Sequence, residues 1–234
     1  MATTISLTST TEICKNMLAL PEGVKLGHYR IGNSLGQGGF GITYLAKEEM
    51  TDYPVVIKEN YPSTFAYRDP ISGELRPMHK CEESYRWAQE HFERTATLLH
   101  KLPRHNNIVH VTNVFRKLNT TYCVMEKIEG RNLAELYPIN SQMEPQLLGS
   151  ILRKLLCALE PLHKQGIIHR DIKPANIMLT PEGEPVLIDF GAARPTQGTH
   201  TATQIGTRGY APPEQLELAE HGENTEHQSP QPHW

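Results

Sequence analysis

Residues 169–179 read HRDIKPANIML. One short segment brings together Asp171, Lys173 and Asn176: a carboxylate, an ammonium and an amide. An Asp can accept the proton of a hydroxyl nucleophile. A Lys two residues on can neutralise charge on a transferring phosphoryl group. An Asn amide oxygen is a hard donor of the kind Mg²⁺ takes. The segment is too polar for a strand and, with Pro174, too broken for a helix, so it reads as a loop.

Three further features carry related chemistry. Gly36, Gly38 and Gly41 form G-x-G-x-x-G, where missing side chains let backbone N–H groups approach phosphate oxygens. Alone that pattern is weak, because dinucleotide-binding folds share it. After Gly41 the chain continues ITYLA, which favours a strand over a phosphate-binding helix. Lys58 then ends the apolar run Val55, Val56, Ile57. A Lys on a buried strand needs an anionic partner, and nucleotide phosphates would supply it. Asp189, Phe190 and Gly191 follow the apolar stretch EPVLI, giving a second oxygen ligand at Asp189 and a turn at Gly191. A lone Asp-Phe-Gly is noise, but the ordered series of Gly loop, strand Lys, His-Arg-Asp and Asp-Phe-Gly is not. A dinucleotide-binding enzyme has no place for Lys58 or the later motifs.

These groups need elements to position them. YRIGNSLGQGGFGITYLAKEE reads as two strands around a Gly-rich turn, and YPVVIKEN as a third. Residues 61–83, with Pro62, Pro70, Gly73 and Pro77, read as an insertion loop or hairpin. ESYRWAQEHFERTATLLHKL is a helix with Trp87, Phe92, Ala96 and Leu99 as its apolar residues. Two strands flank Asn119–Thr120. PQLLGSILRKLLCALEPLHKQG is the strongest helix, with Leu148, Leu152, Leu155, Leu159 and Leu162 expected on one face and Gly166 as its stop. Strands with one helix, then a helix with short hairpins, predict two lobes of different class with a cleft between them.

Composition limits the function classes. The net charge of −3 leaves no footprint for nucleic acid. Cys14, Cys81, Cys123 and Cys157 are far apart and lack zinc spacing, which favours free thiols in a reducing compartment. The first twenty residues lack the basic and apolar regions of a secretory signal. No window approaches the roughly 20 apolar residues of a membrane helix. The expectation is a soluble, cytoplasmic protein without membrane partners.

With these motifs in order, the chain resembles a eukaryotic-like (Hanks-type) serine/threonine protein kinase of bacterial or phage type, from about Tyr29 to Glu214. The resemblance implies an α+β fold with a β-rich N-lobe over 29–128, carrying one main helix, and an incomplete helical C-lobe over 129–214. A flexible segment, 1–28, would precede it and a polar, disordered tail, 215–234, would follow. It implies ATP and Mg²⁺ as cofactors and a protein Ser/Thr hydroxyl as substrate. Residue by residue, it implies that Asp171 is the base, with Lys173 and Lys58 as the other catalytic residues. Leu35, Gly36, Gln37, Gly38, Gly39, Phe40, Gly41, Ile42 and Thr43 would cover the nucleotide. Lys58 would hold its α- and β-phosphates. Met125 would be the gatekeeper, Glu126 to Ile128 the hinge against adenine, and Met178 the floor of that pocket. Asn176 and Asp189 would hold the metal. Thr207 would line the substrate-docking loop and reach Asp171. Arg170 marks the type often controlled by activation-loop phosphorylation, with Thr196, Thr199, Thr201 and Thr203 as candidate sites.

The chain departs from the family in three places. Thr43 replaces the usual Val. The helix position expected to carry a Glu for Lys58 falls on Thr95, followed by Ala96 and Leu99. Glu93 lies two residues away, roughly 200° around the helix, with Glu90 one turn earlier. After Glu214 the family continues with helices that brace the His-Arg-Asp loop, including an Asp-x-Trp and a pairing Arg, whereas no Asp, Lys or Arg follows Arg208 here. Leucines of the Leu148–Leu162 helix are therefore expected to lack covers, and a partner completing the C-lobe is an expectation. The alternative reading is a weak or inactive, pseudokinase-like ATP-binding interaction module.

Overall fold

The structure, a computed structural model, describes residues 18–39, 41–138, 141–195, 207, 209–212 and 215. Phe40, the candidate phosphosites Thr196, Thr199, Thr201 and Thr203, and the tail beyond Gln215 lie outside the described residues. The chain forms two compact units, residues 1–103 with 109–127, and residues 104–108 with 128–234.

The first unit is built on an antiparallel sheet of six strands. β1 (Lys25–Leu26), β2 (Tyr29–Gly38), β3 (Gly41–Glu48) and β4 (Pro54–Asn60) follow in sequence. The short strands β5 (Ala66–Arg68) and β6 (Leu75–Pro77) form the predicted hairpin insertion outside that sheet. Helix α1 (Glu82–Lys101) comes next, then β7 (Val111–Lys117) and β8 (Thr120–Glu126), giving the spatial order β1-β2-β3-β4-β8-β7. Leu118 and Asn119 both have positive φ, at 49° and 57°, the two-residue turn that matches the twist of a hairpin. Glu82 and Glu83 in the first turn of α1, and His100 and Lys101 in its last, complement the helix dipole. Leu102, extended and followed by Pro103, ends the helix.

Alternation sorts the sheet into two faces. Ile42, Glu59 and Tyr122 are cross-strand neighbours in one row, and Tyr44, Ile57 and Val124 in the next row of that face. Most of these side chains belong to the core of the unit, together with Tyr61, Ala66 and Leu75 from the insertion. Thr43, Lys58 and Cys123 form a row on the opposite face. The segment 18–28 corrects the expectation of a flexible start at 1–28. Leu20 and Leu26 are buried in the core, β1 pairs with β2, and the Leu20 N–H donates to Tyr44 Oη at 3.0 Å.

The second unit contains β9 (Arg131–Asn132), α2 (Leu133–Leu136), α3 (Pro145–Lys164) and β10 (Ile167–Ile168). A 3-10 turn over Pro174–Asn176 leads into β11 (Ile177–Leu179), followed by β12 (Pro185–Leu187) and β13 (Arg194–Pro195). β11 is flanked by β12 and β9, and β10 pairs with β13. Residues 104–108 join this unit because Asn107 bonds the β12 backbone: its Nδ2 donates to Pro185 O at 2.7 Å and its O accepts from Leu187 N at 2.9 Å. Helix α3 starts with Pro145, whose missing N–H costs nothing in the first turn, and stops before Gly166 at φ 68°. Its buried face is Ile151, Leu155, Ala158 and Leu162. The expected stripe is thus corrected: Leu148 and Leu152, with Leu156, are exposed. Leu is so frequent on this helix that it forms two neighbouring apolar faces, and among the described residues only one is packed.

Among the described residues, no helix is long and apolar enough to cross a membrane. Leu162→Ala should cost about 2–5 kcal/mol of stability, as a large-to-small change in a packed site. Leu156→Ala, at a side chain 68% exposed, should stay within about 0.5 kcal/mol. Urea denaturation of both variants checks the assignment of faces, and equal losses would contradict it.

Candidate active site

The first unit supplies the Gly hairpin and Lys58. The β2–β3 pairing runs to Gly38 opposite Gly41. A Cβ on Gly41 would lie 2.2 Å from Glu59 O, so that position admits only Gly. A Cβ on Gly36, Gly38 or Gly39 would meet nothing within 4 Å. The tip is therefore open, as close approach of a ligand to backbone requires. Leu35 is exposed beside it. Ile42 is a correction: it is fully buried in the core, in the row of Glu59, so its side chain faces away from the Lys58 row.

Lys58 is 9% exposed, directly opposite Thr43 and Cys123. Burial pushes the Cys123 thiol up to about 12, against the pull of the Lys58 charge. Met125 lies opposite Val56 on the same face. Asn60 Nδ2 donates to Ala88 O at 3.4 Å, which sets α1 against the Lys58 face of β4. Thr95, two turns beyond Ala88, is 5% exposed and packs with Ala96 and Leu99 on the buried side of α1. Glu93 is engaged elsewhere, with Arg116 of β7. At the end of β8, Glu126 N donates to His110 O at 3.0 Å and Glu126 Oε1 accepts from His110 N at 3.2 Å. The chain leaves this unit between Lys127 and Ile128.

The second unit holds the polar loop. Asp171 Oδ1 accepts from Thr207 Oγ1 at 2.8 Å, and Oδ2 accepts from Lys173 Nζ at 2.7 Å and Asn176 Nδ2 at 2.9 Å. Lys173 Nζ also donates to Thr207 Oγ1 at 2.7 Å, closing a triangle. The reach from Thr207 to Asp171 that the resemblance implied is present. Asn176 Nδ2 donates as well to Asp171 O at 2.8 Å. With both amide protons committed, the Asn176 oxygen is the atom left to act as a ligand.

The β11–β12 hairpin carries the second oxygen donor. Ile177 pairs with Leu187, and Ile188 N donates to Asn176 O at 2.9 Å. Asn176 and Asp189 therefore emerge at the same end of one hairpin. An amide oxygen and a carboxylate are hard donors that fit Mg²⁺. Asp189 sits at φ 57°, and its Oδ1 accepts from Gly191 N at 2.9 Å. Arg170 is also left-handed, at φ 66°. Such backbone for bulky residues persists only where the surroundings hold it. Met178 lies on β11 between Val186 and Asn132.

Reading by motif did not foresee what ties these pieces together. His169 is buried against the Phe190 ring, with centroids 4.6 Å apart. Its Nδ1 accepts from Asp171 N at 3.3 Å, which leaves Nε2 to donate to Ile188 O at 3.2 Å. One imidazole thus joins the loop of Asp171 to the strand of Asp189. Gln215 Nε2 donates to Arg170 O at 3.1 Å. Arg194 is the other missed residue. Burial and the nearby Arg170 charge pull its guanidinium down to about 10. The only sequence signal for His169 is its place before Arg170 and Asp171.

Burial alone would raise the Asp171 carboxyl, but the hydrogen bonds from Lys173, Thr207 and Asn176 and the Lys173 charge hold it below its ordinary range. A depressed carboxyl contributes stability that is present above its unfolded pKa and lost as pH falls through the folded one. Lys173→Met should therefore raise the Asp171 pKa and move that loss to higher pH. A carbon-detected NMR titration of Asp171 checks this, and an unmoved titration would remove Lys173 as the cause.

Comparison with known proteins agrees with this arrangement. The family model described as "Protein kinase domain" matches residues 29–230. Serine/threonine-protein kinase PknA of Nostoc sp. is 37% identical over 197 residues, covering 80% of this chain and 33% of that protein. Serine/threonine-protein kinase D of Synechocystis sp. is 40% identical over 204 residues, covering 81% of this chain and 36% of that protein. The chain thus spans about a third of the length of these relatives. A solved structure titled "PpkA-294 apo form" has 27% identity and a TM-score of 0.66, over 74% of this chain and 62% of that one. Gly hairpin, strand Lys, His-Arg-Asp loop and Asp-Phe-Gly turn all lie within the matched residues, and the chain belongs to the protein kinase family, in its eukaryotic-like serine/threonine branch.

Proposed function

We propose that this chain transfers the γ-phosphoryl group of ATP to a Ser or Thr hydroxyl of a protein, with Mg²⁺. The observation that carries the reading is the Asp171 carboxylate, ionised and held by Lys173, Thr207 and Asn176. In this reading Asp171 accepts the proton of the substrate hydroxyl as its oxygen bonds the γ-phosphorus, and the bond to the β-phosphate oxygen breaks to release ADP. Lys173 stands beside the same atoms and offsets negative charge on the group in transit. Thr207 orients Asp171 and marks where the substrate chain docks. Lys58 holds the α- and β-phosphates, and the open backbone at Gly36, Gly38 and Gly39 covers them. Met125, Glu126, Ile128 and Met178 are assigned to adenine by the family resemblance. Asn176 and Asp189 hold Mg²⁺, which neutralises phosphate charge when bound.

Arg170 and Arg194 place like charges close together near the activation segment, which suits control by a phosphate carried there. The exposed Leu148, Leu152 and Leu156 support a covering segment over α3, from further chain of the same lobe or from a partner. The net charge and the free thiols suit a cytoplasmic enzyme without nucleic-acid partners.

Transfer from labelled ATP to a protein substrate tests the reading. Asp171→Asn should lower the rate about 10²–10⁴-fold, the usual worth of a positioned base, with nucleotide binding retained. A rate equal to that of the unaltered chain would refute it. Thr95→Glu places a carboxylate on the face of α1 that packs toward β4, and should raise transfer roughly tenfold for about 1.4 kcal/mol of added interaction. No gain there, with loss in Glu93→Ala, would assign the Lys58 partner to Glu93.

A further inference from the structure

Glu59 follows Lys58 and is 0% exposed, deeper than any site residue of the loop. Its carboxylate accepts from Tyr44 Oη of β3 at 2.7 Å, Tyr122 Oη of β8 at 2.8 Å and Arg68 Nη2 of the insertion hairpin at 2.7 Å. Arg68, whose side chain is 9% exposed, also donates Nε to Leu18 O and Nη1 to Gly73 O, each at 2.9 Å. Its guanidinium lies over the Tyr61 ring, 5.3 Å from the centroid. Leu20 N closes the set on Tyr44 Oη. Two neighbouring strands, the insertion and the chain entering the sheet therefore converge on one carboxylate.

Burying two charges costs several kcal/mol, and well-packed apolar residues of similar volume often serve stability equally well. What an ion pair adds is direction. Consecutive residues of β4 must face opposite ways, so fixing Glu59 fixes Lys58. Val55 and Ile57 already choose the face. Glu59 adds a set of distances at the point where β4 ends, beside the close contact of Gly41 with Glu59 O. We propose that Glu59 and Arg68 are positioning residues for Lys58, holding its strand so that the ammonium stays in the row of Thr43 and Cys123. The proposal rests on the reading of Lys58 as the phosphate-holding cation. Burial opposes the Arg68 charge, but the Glu59 carboxylate and its hydrogen bond more than offset this, so the guanidinium stays charged.

The test uses the full chain and two variants. Glu59→Leu with Arg68→Met replaces the pair by apolar groups, and Tyr44→Phe with Tyr122→Phe removes two hydrogen bonds with little change of volume. The readouts are the thermal midpoint, the rate of Lys58 acylation by limiting acetic anhydride read by mass spectrometry, and KM for ATP against kcat. The Leu/Met pair should keep a cooperative melt near that of the unaltered chain, and the Tyr pair, which leaves the buried Glu59 carboxylate with Arg68 as its donor among these three, should melt cooperatively at a lower midpoint. Lys58 acylation should rise about threefold or more, and KM for ATP about fivefold with kcat within about twofold, the pattern of lost binding. Unaltered Lys58 acylation in either folded variant would overturn the proposal, and the Tyr pair provides that result even if the Leu/Met pair does not fold. Failure of ATP to protect Lys58 from acylation in the unaltered chain would instead overturn the functional reading, since the acylation rates need no turnover.

Discussion

A β-strand sends consecutive side chains to opposite faces, and β4 carries Lys58 and Glu59 consecutively. Everything in the first unit follows from where those two charges can go. Glu59 enters the core, where burial is tolerable only because Tyr44, Tyr122 and Arg68 all donate to it. The insertion hairpin exists in part to supply Arg68, and Tyr61, Ala66 and Leu75 seal the same face. Lys58 is left on the other side with Thr43 and Cys123, against which α1 packs through Asn60 and Ala88. Burial pushes the Tyr44 and Tyr122 phenols up, reinforced by the Glu59 charge, so both remain donors at neutral pH.

The second unit solves a different problem. Its charged groups are partly exposed, so they are held by mutual hydrogen bonds rather than by a sealed core. Asp171 is the hub: one oxygen for Thr207, the other for Lys173 and Asn176. Its carboxylate and its backbone carbonyl each accept from the Asn176 amide, which leaves the oxygen of that side chain as its ligand atom. His169 extends the same network to the strand before Asp189. Asp171, Asn176 and the strand before Asp189 are therefore parts of one hydrogen-bonded object, so disturbing one should disturb the others.

Much of this was legible in the sequence where partners are close in the chain. The loop 169–176 contains its own carboxylate, cation and amide, and the strands around Gly41, Lys58 and Asn119 follow from alternation and turn residues. Thr207 came only through the resemblance, since nothing local links it to Asp171. The Glu59 cluster was not legible because its partners lie 9, 15 and 63 residues away. A Glu after a motif Lys looks like any surface acid. Ile42 was misassigned because proximity to a Gly motif says nothing about which face of β3 a side chain takes. The leucines of α3 were misgrouped because two adjacent faces are equally apolar, and only packing chooses between them. Residues 18–28 were read as loose because the Thr/Ser run before them masks Leu20 and Leu26.

In the proposed function, one network readies Asp171 as a base and frees the Asn176 oxygen, beside Asp189, for a metal. A crystal structure of the chain with Mn²⁺ and a non-hydrolysable ATP analogue tests it most directly. The expected result is an anomalous peak bonded by Asn176 Oδ1 and an Asp189 carboxylate oxygen, with Asn176 Nδ2 still on Asp171 and Lys58 Nζ on the nucleotide phosphates. A metal bound elsewhere, or an Asn176 amide turned away from Asp171, would contradict it.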